Sequence, residues 1–333
     1  MVYEYNLTLE QELAGGVVVS AAYVGNDGRR LPWMPDIDPA VYIPGNDPVT
    51  GLPLSTVANE ASRRVLNRAL PAGSPDIYGQ VGVFTDTATS SYNSFQLQVR
   101  THEYHGLTVQ GNYTWSHNLD DQSTYYINIA SNSTQNPACL KCDWANSDLD
   151  HRHMLVLSYF YRTPSLTKAM KFNNPVARQI FDNWGLSGIS SFTSGGWASV
   201  MSSNGDNSLT GQGDDRANIV GNWRLPSGRS DAERRAQYFN TAAFAVNPVG
   251  SFGNSGRNII PMPGSWGTDA AILKHFPIKS EQRELEFRAE FFNAFGHTNL
   301  AGPGLTEGTS GFGQILGQIG DQRIIQLGLK FMF

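Results

Sequence analysis

The chain has 333 residues, of which only 16% are charged, well under the ~25% of an ordinary soluble domain, and its 34 Gly and 17 Pro exclude a fold dominated by long helices. An aromatic share of 11% excludes disorder, two Cys exclude a disulfide scaffold, and a net charge of −5 provides no basic field for nucleic acid or anionic lipid. What remains is a weakly charged, Gly- and aromatic-rich, all-β chain. No stretch approaches the ~18 consecutive apolar residues of a membrane-spanning helix. The opening Met1-Val2-Tyr3-Glu4-Tyr5 carries no basic region followed by an apolar one, so no secretory signal is expected at this end.

A two-residue period runs along the chain. Near the start, Tyr3, Tyr5, Leu7 and Leu9 alternate with Glu4, Asn6, Thr8 and Glu10. A weaker segment follows at 17–23. Phe95, Leu97 and Val99 then alternate with Ser94, Gln96, Gln98 and Arg100, and Leu107, Val109, Tyr113 and Trp115 with Thr108, Gln110, Asn112 and Thr114. Further weak segments fall at 155–161, 184–193 and 268–276. Leu285, Phe287, Ala289 and Phe291 stand against Glu284, Glu286, Arg288 and Glu290, and Ile325, Leu327, Leu329, Phe331 and Phe333 close the chain against Gln326, Gly328 and Lys330. Side chains alternate across a strand, so each segment has one apolar and one polar face. The reading is about nine strands, many near the ~9–11 residues that a tilted strand needs to cross a bilayer.

The links between these strands alternate in length. Those at 11–16, 102–106 and 277–282 are short and 164–183 is intermediate, whereas 26–91, 117–152, 195–267 and 296–322 are long. In an antiparallel meander successive links fall at opposite ends, so every long loop lies on one side. Short periplasmic turns and long extracellular loops are the pattern of an outer-membrane barrel. A soluble sandwich core shows the same alternation of faces without requiring this parity. A barrel also predicts which face is which: a charge costs ~2–4 kcal/mol at the lipid midplane, so Glu286, Arg288 and Glu290 should face the lumen. Tyr113, Trp115, Tyr159, Tyr161, Trp184, Phe331 and Phe333 are expected near strand ends, as interfacial girdles.

The last segment, Arg323-Ile324-Ile325-Gln326-Leu327-Gly328-Leu329-Lys330-Phe331-Met332-Phe333, resembles the closing strand of Oar-like TonB-dependent outer-membrane transporters. The run from Leu285 through Phe291-Phe292-Asn293-Ala294-Phe295-Gly296-His297-Thr298-Asn299 is similar to that family's penultimate strand and following loop. Asp150-His151-Arg152-His153 leading into Leu157-Ser158-Tyr159, Asn183-Trp184-Gly185-Leu186-Ser187-Gly188-Ile189, and Tyr5-Asn6-Leu7 with Ala22-Tyr23-Val24-Gly25-Asn26 resemble further segments of the same barrel. The resemblance implies the C-terminal portion of such a barrel over residues 1–333. The plug, the motif that contacts TonB, the signal sequence and roughly the first half of a wall of about 22 strands are absent from this chain. It further implies a non-enzymatic role in uptake of an unknown solute, in the outer membrane of a Gram-negative bacterium. The expected partners are outer-membrane lipid, the TonB system acting through a plug, and the barrel-assembly machinery, which reads the C-terminal Phe331 and Phe333. An outer-membrane surface or adhesion protein is the alternative.

Site chemistry is sparse. Cys139-x-x-Cys142, with His151 and His153 downstream, has ligand types suited to zinc but no strong zinc spacing, which leaves a short-loop disulfide or two uninvolved thiols. Asp120-Asp121, Asp206 and Asp214-Asp215 match no complete calcium loop and read as solvated loop charge. Arg63, Arg64 and Arg68, on a short loop helix over 57–70, read as surface. His151-Arg152-His153 reads as the opening of a strand. Gly211-x-Gly213 carries no dinucleotide signal, and no nucleophile elbow or zinc-protease motif occurs, so no cofactor and no catalytic residue is expected.

Overall fold

The computed structural model describes residues 1–123, 134–172, 174–278 and 280–332. Nine long strands follow in chain order: β1 (Val2–Leu13), β2 (Val17–Trp33), β3 (Thr85–Thr101), β4 (Leu107–Asp120), β5 (His153–Arg162), β6 (Trp184–Thr193), β7 (Ser265–Ile278), β8 (Ser280–Phe292) and β9 (Ile324–Met332). Each pairs antiparallel with its successor and no strand crosses over; the two-residue strand Ala145–Asn146 is an addition to β4. Every expected segment is a strand. The upper ends differ: β2 continues past Tyr23 to Trp33, β3 begins at Thr85, and β4 continues past Trp115 to Asp120. Beyond the apolar band both faces of the sheet are wet, so nothing forces alternation there and the pattern fades although the ladder does not.

The links keep their parity. Those at 14–16 and 102–106, the short connection of β7 to β8, and the intermediate 163–183 lie at one end; 34–84, 121–152, 194–264 and 293–323 lie at the other. The tight end shows why its sequence is what it is. Tyr104 and Leu107 exchange backbone hydrogen bonds of 2.9 and 3.0 Å around His105 (φ 51°) and Gly106 (φ 83°). Two positive φ values make this a type I′ turn, whose twist matches that of the flanking strands. A Cβ at position 106 would also collide with the Arg162 carbonyl oxygen.

Register sorts the side chains onto two faces. One row runs Leu7, Tyr23, Phe95, Trp115, and another Leu107, Tyr161, Leu186, Ile272, Ala289, Leu327. The largest apolar side chains of this face are open: Leu9 is 69% exposed, Leu327 67% and Leu329 68%. The opposite face carries Glu4, Asn26, Tyr92 and Asn118 in one row and His275, Glu286 and Lys330 in another. The apolar band is bounded by rings. At the loop side Tyr5 and Tyr23 both donate to Asn93 Oδ1 (3.3 and 2.6 Å), and Phe192 stacks on Trp266 at 5.9 Å. At the turn side lie Tyr161, Trp184, Phe276 and Phe331. The ten residues of β5 extend about 33 Å, which a tilt of about 45° projects to about 23 Å, close to the apolar band of an outer-membrane barrel. Tyr113 and Trp115, expected near a strand end, lie instead well inside β4, because the strand continues to Asp120.

Among the described residues β1 and β9 each pair on one side only, so the sheet is open. The hydrophobic core lies away from it, in the long loops, where Val200, Ala217, Phe239, Ala243, Phe244 and Ile260 are buried together. Phe239 meets Phe244 and Phe312 edge-on at 5.5 and 5.2 Å. The wall itself has no second layer to bury its apolar face.

Placing an arginine at Leu327 should cost ~2–4 kcal/mol of folded stability and abolish heat-modifiable migration on gels, whereas Gln326→Arg, on the opposite face, should leave it intact. Equal tolerance of the two substitutions would refute the assignment of faces.

Candidate functional site

Three hollows open against the polar face. The largest of them, about 470 Å³, is lined by Gln110, Ser158, Ser187, Asp269, Arg288 and Glu290. A second, about 460 Å³, lies toward the turn end between Arg162, His275 and Glu284, and a third, about 440 Å³, toward the loop end between Asn26, Tyr92, Asn118 and Asp120. Glu286, Arg288 and Glu290 share this face, opposite Phe287 and Ala289. Arg288 Nε donates to Glu290 Oε1 at 2.9 Å, and Glu286 lies 3.9 Å from His275 Nδ1.

Above the wall the loops are joined by buried ions. Arg257 binds the Asp120 carboxylate, and also donates to Ser123 Oγ (3.0 Å) and the Asp143 carbonyl (2.9 Å). Arg216 pairs with the Asp143 carboxylate at 2.6 Å and donates to the Ser255 carbonyl at 3.0 Å. Asp150, wholly buried, accepts from the Asn118 N–H (2.7 Å), Arg152 Nε (2.7 Å) and Trp197 Nε1 (2.8 Å). These contacts bind 121–152 and 194–264 to each other and to the top of β4.

Two expectations from the sequence are corrected here. Arg63 and Arg64 are buried, not surface. Arg63 Nη1 donates to the Val41 and Leu209 carbonyls at 2.9 Å each, and Arg64 pairs with Asp36 (3.3 Å) and Glu60 (2.5 Å), so that 34–84 is tied to 194–264. The loop aspartates are not solvated charge either: Asp120, Asp121 and Asp215 are buried. Asp121 accepts from Thr89 N–H and Oγ1 (2.8 and 2.7 Å), and Asp215 from the Ser208 N–H and Asn247 Nδ2 (2.5 and 3.0 Å). Asp206 takes the Thr210 and Gly211 N–H groups at 3.0 and 3.1 Å, which gives the Gly211 region a turn-forming role. Burial pushes the Asp214 carboxyl up to about 6, with repulsion from Asp215 acting in the same direction.

The remaining sequence candidates are scattered. Cys139 and Cys142 are joined by a disulfide. His153 opens β5, its Nδ1 2.8 Å from the Tyr113 hydroxyl, while His151 Nδ1 lies 2.8 Å from the Ser194 carbonyl oxygen; neither approaches the cysteines to form a ligand set. Phe331 lies in β9 on the apolar face; Phe333 lies outside the described residues. Sequence reasoning missed Arg216, Arg257 and Asp143, whose partners are distant in sequence. It also missed Lys274, a cation on the apolar face. Lys274 is buried between the rings of Trp184 and Phe276, each 5.2 Å away, and its ammonium is capped by the Asp182 carbonyl. Asp182 is itself held by Ser165 and Thr167 of the 163–183 link, so this link shields a lysine that the register sets on the apolar face, between Trp184 and Phe287.

An uncrossed antiparallel meander, apolar on one face, polar and hollowed on the other, and bounded by aromatic rings, is the wall of a transmembrane β-barrel. The family described as outer membrane beta barrel domain matches residues 1–326, and the chain belongs to it. Its place is accordingly the outer membrane, with the polar face toward the barrel interior. Among solved structures the chain is similar to the outer membrane transporter YddB from Escherichia coli, at 9% identity and a TM-score of 0.44, over 99% of this chain and 32% of that one. The chain therefore spans about a third of that protein's length. No curated protein matches it.

Arg257→Ala would leave Asp120 and its neighbours buried without their cation, a loss of about 3–5 kcal/mol. Proteolysis within 121–152 and 194–264 should then accelerate, with heat-modifiable migration of the barrel retained. The raised Asp214 pKa means that the folded loops bind this proton more tightly than the unfolded chain does. The resulting stability is full below about 3.8 and is lost as pH rises through about 6. Protease resistance of 194–264 should fall over that window, and Asp214→Asn should remove the fall.

Proposed function

We propose that the chain is the C-terminal wall and outer-loop portion of a TonB-dependent receptor of the Oar-like type, in which the loops recognise a solute and the polar face lines its path inward. The observation that carries this reading is the open sheet. Among the described residues β1 pairs only with β2 and β9 only with β8, so each margin of the membrane wall is an open sheet edge. In hydrocarbon each unpaired group costs several kcal/mol, so further strands must complete the ladder. A larger barrel supplies them. The closing-strand motif at 323–333 and the segment at 285–299 support the Oar-like assignment. The reading needs no catalytic residue and no cofactor in this chain. TonB would act through a plug held elsewhere in the protein, and Phe331 and Phe333 would present the end of the wall to the assembly machinery.

A surface-binding or adhesive role is the second reading, favoured by one feature: the loops have their own buried core and ion network, and so form a preorganised lobe rather than loose connections.

The test is made in cells that express the complete reading frame containing this chain. Solute accumulation that stops when TonB is absent, together with a plug encoded upstream in frame, is the expected result. Accumulation indifferent to TonB, or cell-surface adhesion without any uptake, would favour the second reading. Cysteines placed at Thr8 and Gln326 should crosslink to strands of the same polypeptide, with no doubling of mass; a crosslinked dimer would mean that a second copy completes the sheet.

A further inference from the structure

The β7–β8 hairpin carries a cluster that neither the wall nor the uptake reading uses. Register sets His275 directly across from Glu286, and Pro277 across from Glu284. His275 Nδ1 lies 3.3 Å from Glu284 Oε1 and 3.9 Å from Glu286 Oε2, and one ligand atom from each of the three residues falls within 4.8 Å of the others. This is the only such group of His, Cys, Asp or Glu among the described residues. We propose that His275, Glu284 and Glu286 form a binding site for a divalent first-row transition ion on the inner wall, near its turn end.

The geometry fits. Metal bonds of about 2.0–2.2 Å set neighbouring donors roughly 3–3.5 Å apart. His275 and Glu284 already stand at 3.3 Å, and Glu286, with its donor 3.9 Å from His275 and all three within 4.8 Å of one another, closes on them by rotation of its side chain. His275 and Glu286 are direct partners in the β7–β8 ladder and Glu284 faces Pro277, so the three donors come from paired strands rather than from loops. All three are half-buried, and the hollow of about 460 Å³ beside them, lined by His275 and Glu284, leaves room for water to complete the coordination shell. Charge agrees as well. Two carboxylates converge on one imidazole. Lys330, across the ladder from Glu286, and Arg162, across the hollow, are the cations facing the cluster, and neither comes within 4.0 Å of either carboxylate. One nitrogen and two oxygens select zinc, manganese or iron(II) over calcium and magnesium, which take oxygen alone. A bound ion would join β7 to β8 at the edge of the membrane.

The inference does not rest on the uptake reading and can fail separately from it. The full chain, purified in detergent from outer membranes and stripped with chelator, is titrated calorimetrically with zinc chloride, with calcium and magnesium chloride in parallel. His275→Ala should remove one zinc equivalent per chain, and Glu284→Gln and Glu286→Gln should each weaken that equivalent at least tenfold. His151→Ala should change nothing, and calcium and magnesium should not bind at this site. Cobalt(II) substitution should give a visible absorption band that His275→Ala abolishes. Heat-modifiable migration of each variant checks that it is folded. Zinc stoichiometry unchanged in a folded His275→Ala, or the absence of any zinc binding to the parent chain, would overturn the proposal.

Discussion

Hydrocarbon offers a peptide group no hydrogen-bond partner, and the rest of this structure follows from that constraint. Every N–H and C=O at membrane depth must pair with a neighbouring strand, which dictates an antiparallel ladder with no crossover and no interior break. Once the ladder is imposed, the pleat divides the side chains into two sets with opposite tasks. Leu9, Leu327 and Leu329 are open on one face because lipid, rather than protein, is their solvent. Glu286, Arg288 and Glu290 are tolerated on the other because the interior is wet. Lys274 is the informative exception: a cation in the apolar rows near the turn side, retained because two rings and a backbone carbonyl enclose it.

The same constraint explains where the hydrophobic core is. A wall one strand thick cannot bury apolar side chains within itself, so the cluster that resembles the interior of a soluble protein forms in the long loops, around Phe239 and Ile260. Those loops are long because they fold upon each other. Arg257, Arg216 and Arg63 each reach across tens of residues of sequence to a carboxylate or carbonyl outside their own link, while Arg64 ties together two parts of 34–84. With the backbone bonds from Met201 and Tyr238 to the Leu305 and Gly313 carbonyls of 293–323, they make of four separate links one lobe, mounted on the extended upper ends of β2, β3 and β4. A lobe of this kind presents a defined surface outward and sits above the polar, hollowed face of the wall. On the proposed reading, recognition outside and passage inside would be divided between these two parts of the chain.

The open margins at β1 and β9 are the feature that the proposed larger barrel accounts for. An isolated ladder with two exposed edges is not a stable membrane object. On that reading, the strands that complete it would come from elsewhere in the same protein or from a second copy, and the wall, the loops and the cluster at His275 would all acquire their setting from that completion.

Strand number, order and facing were legible in the sequence because hydrocarbon imposes a strict two-residue period. Tyr3 to Glu10, Phe95 to Arg100 and Leu285 to Phe291 declare their faces residue by residue, and the parity of link lengths then sets the sidedness. The continuation of β2 to Trp33 and β4 to Asp120 was not legible, since above the membrane both faces are wet and alternation is no longer enforced. The loop lobe was decided by tertiary structure alone. Nothing near Arg63, Arg64 or Asp215 in sequence distinguishes a buried ion from a solvated one, because the groups that bury and neutralise it lie far along the chain. The same holds for His275, Glu284 and Glu286. Alternation assigns each to the polar face, but only the backbone register of β7 against β8 brings their donor atoms together.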